Sequence, residues 1–121
     1  MKKIYHLDTC NTCQRIMRTL KVDDSFEVQN VKTHPITPDQ LDALKERAGS
    51  YEALFNRRSR QYRGMGLHER DLSERDYRDL IIREYTFLKR PVVVVDDQVF
   101  AGNAKDTVSM ASRALSRRQE A

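Results

Sequence analysis

The two cysteines of the chain, Cys10 and Cys13, lie where an extended pattern changes to a helical one. The run KIYHL, residues 3–7, predicts a first strand. Apolar residues then recur on one helical face: Cys13, Ile16, Met17 and Leu20. Thr9 or Cys10 stands where this helix begins. The chain therefore opens with a strand that leads through a CxxC pair into a helix.

Three further stretches predict strands. SFEVQNV, residues 25–31, alternates Phe26, Val28 and, less regularly, Val31, and so predicts a second strand. VVVV, residues 92–95, predicts a buried strand, and Asp96–Asp97 predicts a tight turn before the short return strand QVF. Asn103 can cap a last helix.

Helices are predicted between the second and third strands. Thr37 is a candidate N-cap with Gln40 at the capping-box position, and Gly49 ends that helix. The mixed stretch that follows predicts a short helix and a loop. Ser73, with Asp76 three residues on, can cap another helix. The apolar face of that helix comprises Tyr77, Leu80, Ile81, Tyr85 and Leu88.

The predicted order β-α-β, helices, β-β-α, with CxxC at the first strand-to-helix junction, is that of an α/β, thioredoxin-like fold. About 60 residues separate the second strand from the third, more than one crossover helix requires. The sequence therefore predicts a single thioredoxin-like domain over residues 1–121, in which about 36–89 form a helical insertion.

Charge and hydropathy narrow the class of protein. The net charge of +4 is modest, and the basic residues form no dense stripe with aromatic neighbours, so direct DNA binding is not expected. No apolar run approaches the ~20 residues of a membrane span, and the start lacks a secretory signal pattern. We therefore expect a cytoplasmic protein without a membrane partner. In that compartment a CxxC pair indicates redox or metal chemistry.

The cysteine pair itself favours redox chemistry. A cysteine at a helix N-terminus has a lowered pKa, because unpaired backbone N–H groups favour the thiolate. Cys10 occupies that position, whereas Cys13 lies one turn deeper on the apolar face. A structural zinc site needs about four ligands. The chain has only these two cysteines and three scattered histidines, so no metal site is predicted. The alternative to redox chemistry is that Cys10 and Cys13 are ordinary small residues without a chemical role.

Three stretches carry a resemblance to a known group of proteins. They are YHLDTCNTC, YEALFNRRSRQYRGMGL and LKRPVVVVDDQVFAGNA, and together they span almost the whole chain in order. The sequence resembles the arsenate reductase-like and Spx-like branch of the thioredoxin-fold proteins. The resemblance implies that Cys10 is the reactive cysteine. It also implies that Arg58, or its neighbour Arg57, and Arg90 bind an anion.

The resemblance further implies that the Arg90–Pro91 bond is cis and lies against Cys10. We include Thr12, between the cysteines, in the candidate substrate-binding set. Guanidinium groups suit an oxyanion or a glutathione carboxylate and favour a nearby thiolate. Each of these residues also has a purely structural explanation. The arginines can form a charged surface, and Arg90 can be a favourable cation at the C-terminus of the preceding helix. Pro91 can simply begin a strand.

The sequence also departs from the arsenate reductases. Those enzymes resemble one another in a third arginine after the last hairpin, where this chain has Ala101 and Gly102. They usually have one cysteine in the active-site loop, whereas this chain has two. The CxxC pair is similar instead to that of the Spx-like regulators, which use it as a redox switch and bind RNA polymerase rather than DNA.

Three functions stay open from the sequence. In the first, the protein is a thiol-dependent oxidoreductase in which Cys10 attacks an oxyanion, glutathione disulfide or protein disulfide. Cys13 or glutathione then resolves the adduct, and no cofactor is bound. Glutathione, glutaredoxin or thioredoxin would supply the electrons. In the second, a Cys10–Cys13 disulfide regulates binding to RNA polymerase. In the third, the site is inactive.

Overall fold

A computed structural model describes residues 1–120, with Glu120 described by its backbone alone. Four strands form one mixed sheet in the order β2-β1-β3-β4. They span Lys2–His6 (β1), Glu27–Asn30 (β2), Val92–Val95 (β3) and Gln98–Ala101 (β4). β1 pairs parallel with β2 and antiparallel with β3, which pairs antiparallel with β4. The parallel pair requires a crossover, which helix α1, Asn11–Thr19, supplies.

The remaining helices confirm the predicted fold class, α/β and thioredoxin-like with a helical insertion between β2 and β3. The α-helices after α1 are α2 (Pro38–Ala48), α3 (Arg60–Gly64), α4 (Glu74–Arg83) and α5 (Lys105–Glu120). Short 3-10 turns span Glu52–Leu54, Leu67–Glu69 and Tyr85–Phe87. The chain divides into two compact units, Met1–His34 with Arg90–Ala121, and Pro35–Lys89. That residues 1–121 form a single domain stays a prediction.

The first unit has a core between the sheet and two helices. Side chains of α1, β1, β3, β4 and α5 meet there: Ile4, Ile16, Leu20, Val93, Val95, Phe100, Ala111 and Ala114. All four valines of β3 are buried, as predicted. The predicted second strand is present as β2, in which the Val28 side chain is 52% exposed. β2 is a strand of only four residues at the edge of the sheet.

The second unit is helical, and its helix ends follow the local sequence signals. Thr37 and Gln40 form a capping box at α2, as do Ser73 and Asp76 at α4. Gly49 ends α2 with a φ of 96°, in the left-handed region that favours glycine. The predicted face of α4 is corrected at its end. The helix stops at Arg83, so Tyr85 and Leu88 belong to the turn and extended segment that follow it.

Candidate functional site

Cys10 is the N-cap residue of α1. Its backbone is extended, with φ −93° and ψ 110°, and its sulfur accepts a hydrogen bond of 3.4 Å from the backbone N–H of Cys13. The first N–H groups of a helix have no partner within the helix, and an N-cap side chain satisfies one of them. Because Cys10 is partly exposed, its sulfur combines access to solvent with a preformed donor.

The surroundings of Cys10 favour its thiolate. Burial alone raises the pKa of this thiol, but hydrogen bonds from the backbone N–H and the thiol of Cys13 lower it. The backbone N–H of Thr12 and the positive charge of Arg90 lower it further, so that the net pKa of Cys10 is below its usual value. The thiolate is the nucleophilic form of cysteine. Cys10 therefore has both the exposure and the electrostatics of a reactive thiol.

Cys13 has the opposite character, although it lies in the same turn. Its side chain is fully buried, and burial raises the pKa of its thiol to about 11, against a weaker opposing hydrogen bond from the Leu7 backbone. The adjacent Cys10 sulfur raises that pKa as well. These directions agree with the sequence prediction of one exposed, acidic thiol and one buried thiol. The catalytic roles of the two cysteines stay predictions.

Arg90 and Pro91 lie in the same unit as the cysteines. The Arg90–Pro91 peptide bond is cis, as predicted. Pro91 is fully buried, and its carbonyl accepts a hydrogen bond of 2.9 Å from the Gly102 N–H. The charge of Arg90 favours the thiolate of both cysteines. The structure thus brings Arg90 and the cysteine pair into electrostatic contact, whereas its role toward a substrate stays a prediction.

Arg57 and Arg58 belong to the second unit and have different surroundings. The Arg57 guanidinium forms an ion pair of 2.6 Å with Glu52 and donates a hydrogen bond of 2.9 Å to the Tyr77 hydroxyl. The Arg58 side chain is exposed and forms no ion pair or hydrogen bond with any other residue of the described range 1–120. Of the two candidates, Arg57 is therefore paired within its unit, whereas anion binding by either arginine stays a prediction.

Thr12 acts on Cys10 through its backbone N–H, so a role for its side chain stays a prediction. Within residues 1–120, no three His, Cys, Asp or Glu side chains lie close enough together to hold a metal ion. Over the same residues, no helix has the length and apolar character needed to cross a membrane.

One residue of this region was missed by sequence reasoning. The side chain of Asn56 accepts a hydrogen bond of 3.0 Å from the backbone N–H of Arg58 and donates one of 3.1 Å to the Thr86 carbonyl. An asparagine two residues before an arginine is a signal for such a turn, because Asn side chains bond the backbone two residues on. The contact with Thr86 has no local signal in the sequence.

Known proteins share this architecture. An arsenate reductase from Vibrio cholerae has a TM-score of 0.76 at 18% identity, covering 91% of this chain and 96% of that one. An arsenate reductase (ArsC) related protein from Brucella melitensis has a TM-score of 0.69 at 20% identity, covering 90% and 92%. At such identities these likenesses show the fold.

Sequence relatives and a family profile extend the comparison. The global transcriptional regulator Spx of Lactiplantibacillus plantarum is 22% identical over 107 residues, which are 87% of this chain and 81% of that protein. Spx of Streptococcus pyogenes serotype M1 is 24% identical over 110 residues, 89% of this chain and 82% of that protein. The profile of the ArsC family matches residues 5–111. Because that match covers most of the chain, the protein belongs to the ArsC family.

Proposed function

We propose that the protein is a thiol-disulfide oxidoreductase in which Cys10 is the nucleophile. The observation that carries the proposal is the pairing of two unlike thiols in one helical turn. Cys10 is partly exposed with a lowered pKa, whereas Cys13 is buried with a pKa of about 11. A thiolate with an adjacent second thiol can attack a disulfide and then be released from the adduct.

The proposed reaction proceeds in two exchanges. The Cys10 thiolate attacks one sulfur of a disulfide R–S–S–R′, so that a Cys10–S–S–R bond forms and R′–S⁻ leaves. Cys13 then loses its proton to solvent and attacks Cys10, which forms the Cys10–Cys13 disulfide and releases R–S⁻. The substrate has gained two electrons, and the protein has lost two. An external thiol can replace Cys13 in the second exchange. Glutathione, glutaredoxin or thioredoxin would restore the reduced protein in a reducing compartment such as the cytoplasm.

The proposed substrate is anionic. Arg90 supplies positive charge at the cysteine pair, and Arg58 offers an exposed guanidinium. A glutathionyl group carries carboxylates, which guanidinium groups bind through paired hydrogen bonds. Ala101 and Gly102 stand where the arsenate reductases have a third arginine. We therefore expect a glutathione mixed disulfide to react better than arsenate.

Single-turnover reactions test this proposal. The reduced protein is mixed with a glutathionylated peptide or with arsenate plus glutathione, and products are followed by mass spectrometry. Wild type should gain a Cys10–Cys13 disulfide, Cys13→Ser should stop at the glutathione adduct, and Cys10→Ser should not react. Reaction of Cys10→Ser at the wild-type rate, or arsenate reduction faster than disulfide reduction, would overturn it.

A second function is supported by the relatives, which are named as transcriptional regulators. In this alternative the Cys10–Cys13 disulfide changes the affinity of the protein for RNA polymerase. Purified RNA polymerase is passed over the immobilised protein in its reduced and oxidised forms, with Cys10→Ser as the control. Binding that depends on oxidation in wild type and not in the variant supports a regulator. Equal binding, or none, in both forms argues against it.

A further inference from the structure

The turn that carries Arg58 is attached by backbone hydrogen bonds to a segment that ends at Lys89. The Lys89 N–H donates to the Leu54 carbonyl at 2.9 Å, and the Asn56 N–H donates to the Phe87 carbonyl at 2.7 Å. Between these bonds the two segments form an antiparallel bridge. The chain on the N-terminal side of the turn is therefore fixed before the two arginines are reached.

The side chain of Asn56 extends this attachment into the turn. Its Nδ2 donates to the Thr86 carbonyl at 3.1 Å, and its Oδ1 accepts from the Arg58 N–H at 3.0 Å. The first bond holds Asn56 on the neighbouring segment, and the second bond closes the turn over Arg57. One side chain thus links the backbone of Arg58 to a distant part of the same unit.

The anchored neighbour completes this arrangement. Arg57 is tied to Glu52 and to Tyr77, with its guanidinium 5.6 Å from the centre of the Tyr77 ring. The backbone of Arg58 is fixed because Arg57 before it is anchored and because its own N–H is bonded to Asn56. The Arg58 side chain is exposed. Fixing the backbone in advance reduces the conformational entropy that a long side chain loses on binding an anion.

We propose that Asn56 is a positioning residue for anion binding, acting through the backbone of Arg58. This inference rests on the proposed function, in which Arg58 binds the anionic substrate. Removal of the Asn56 side chain leaves the charge of Arg58 in place but releases the turn that presents it. The change therefore weakens selection for anionic disulfides and leaves the chemistry at Cys10 unaltered.

Charge selectivity is the readout that tests this role. It is defined as the second-order rate constant of the reduced protein with oxidised glutathione, divided by that with neutral bis(2-hydroxyethyl) disulfide. Arg58→Ala should lower this ratio by up to about fivefold, the upper end of the effect of one exposed ion pair. Asn56→Ala should lower it about threefold and should have no further effect when added to Arg58→Ala, because both act on one group.

Ser59→Ala is the matched control. The Ser59 hydroxyl also ties this turn to Thr86, through a hydrogen bond of 2.8 Å between the two side-chain oxygens, but its hydrogen bonds do not involve Arg58. It should lower the midpoint of thermal unfolding and leave the selectivity ratio unchanged. Asn56→Ser keeps an oxygen that can accept from the Arg58 N–H, so it should recover most of the selectivity.

The outcomes separate the inference from the proposed function. If Arg58→Ala leaves the ratio unchanged, the proposed role of Arg58 fails. If Arg58→Ala lowers it and Asn56→Ala does not, the inference about Asn56 is wrong. An equal loss in Ser59→Ala also overturns the inference, since general loosening of the turn then suffices. Should Asn56→Ala not fold, Asn56→Gln supplies the same test, because its longer side chain moves the oxygen away from the Arg58 N–H.

Discussion

The backbone N–H of Cys13 points at the sulfur of Cys10 across one helical turn, at 3.4 Å. The same residue thus supplies a donor that stabilises the Cys10 thiolate and a buried thiol that has difficulty losing its own proton. The contrast between the two thiols arises from their positions, at the helix end and on its inner face.

The first prediction concerns thiol reactivity. In Cys13→Ser, alkylation of Cys10 by iodoacetamide should have a midpoint below the usual pKa of cysteine. In Cys10→Ser, burial still raises the pKa of Cys13, so its alkylation at pH 7 should be much slower than that of Cys10 in Cys13→Ser. Faster alkylation of the variant that retains only Cys13 at pH 6 would reverse the assignment of the two thiols.

The second prediction separates the backbone of Thr12 from its side chain. Proline at this position in the first helical turn removes the N–H that bonds Cys10, so Thr12→Pro should raise the pKa of Cys10. Thr12→Ala keeps the N–H and should leave that pKa unchanged. Ultraviolet absorption of the thiolate against pH measures both. A larger shift in the alanine variant would show that the hydroxyl, rather than the amide, supports the thiolate.

The third prediction concerns stability in acid. Asp42 accepts hydrogen bonds from Arg78 at 2.8 and 3.1 Å and from the Tyr51 hydroxyl at 2.6 Å. These bonds lower the pKa of Asp42 from 3.8 to about 2. A carboxyl whose pKa is lowered on folding stabilises the protein above its unfolded pKa, and this contribution is lost as the pH falls through the folded pKa.

The stability that Asp42 supplies should therefore disappear between about pH 4 and pH 2. Urea unfolding of wild type and Asp42→Asn should differ at pH 7 and converge across that range. Asp71→Asn, an exposed carboxyl of the same unit, serves as the control and should follow wild type throughout. A constant difference between wild type and Asp42→Asn from pH 7 to pH 2 would contradict the prediction.

The fourth prediction concerns two glycines. Gly49 has a φ of 96°, and a Cβ there would meet no atom within 4 Å, so Gly49→Ala should cost about 1–2 kcal/mol through backbone conformation alone. Gly64 lies in α3, also with open space around it, so Gly64→Ala should be neutral or stabilise by up to about 1 kcal/mol. Denaturant unfolding measures both. Equal effects at the two positions would be inconsistent with this account.

The sequence predicts best those features that depend on neighbours along the chain. The capping boxes at Thr37 and Ser73, the end of α2 at Gly49 and the position of Cys10 at a helix start all follow from residues within one turn. The cis bond before Pro91 was expected only from the family resemblance, because trans is the commoner state.

Features that depend on distant contacts were not predictable in the same way. The exposure of Val28 follows from the strand order, which places β2 at the sheet edge. The different surroundings of Arg57 and Arg58 depend on Tyr77, which is twenty residues from Arg57 in sequence. The attachment of Asn56 to Thr86 spans thirty residues. The contacts of Arg57 and Asn56 depend on how the second unit packs, and they produce no periodic pattern in the sequence.

In the proposed reaction, the burial of Cys13 would limit the rate at which the Cys10–Cys13 disulfide forms. Burial raises the pKa of the Cys13 thiol to about 11 in the reduced protein, so that this thiol is almost entirely protonated at pH 7. In the proposed reaction, an adduct on Cys10 would persist until Cys13 loses its proton, and below the pKa of Cys13 each added pH unit should speed closure of the internal disulfide about tenfold. Before Cys13 reacts, an abundant external thiol can attack the adduct instead. In that reaction, the depth of the Cys13 sulfur would decide whether electrons come from the protein itself or from an external thiol.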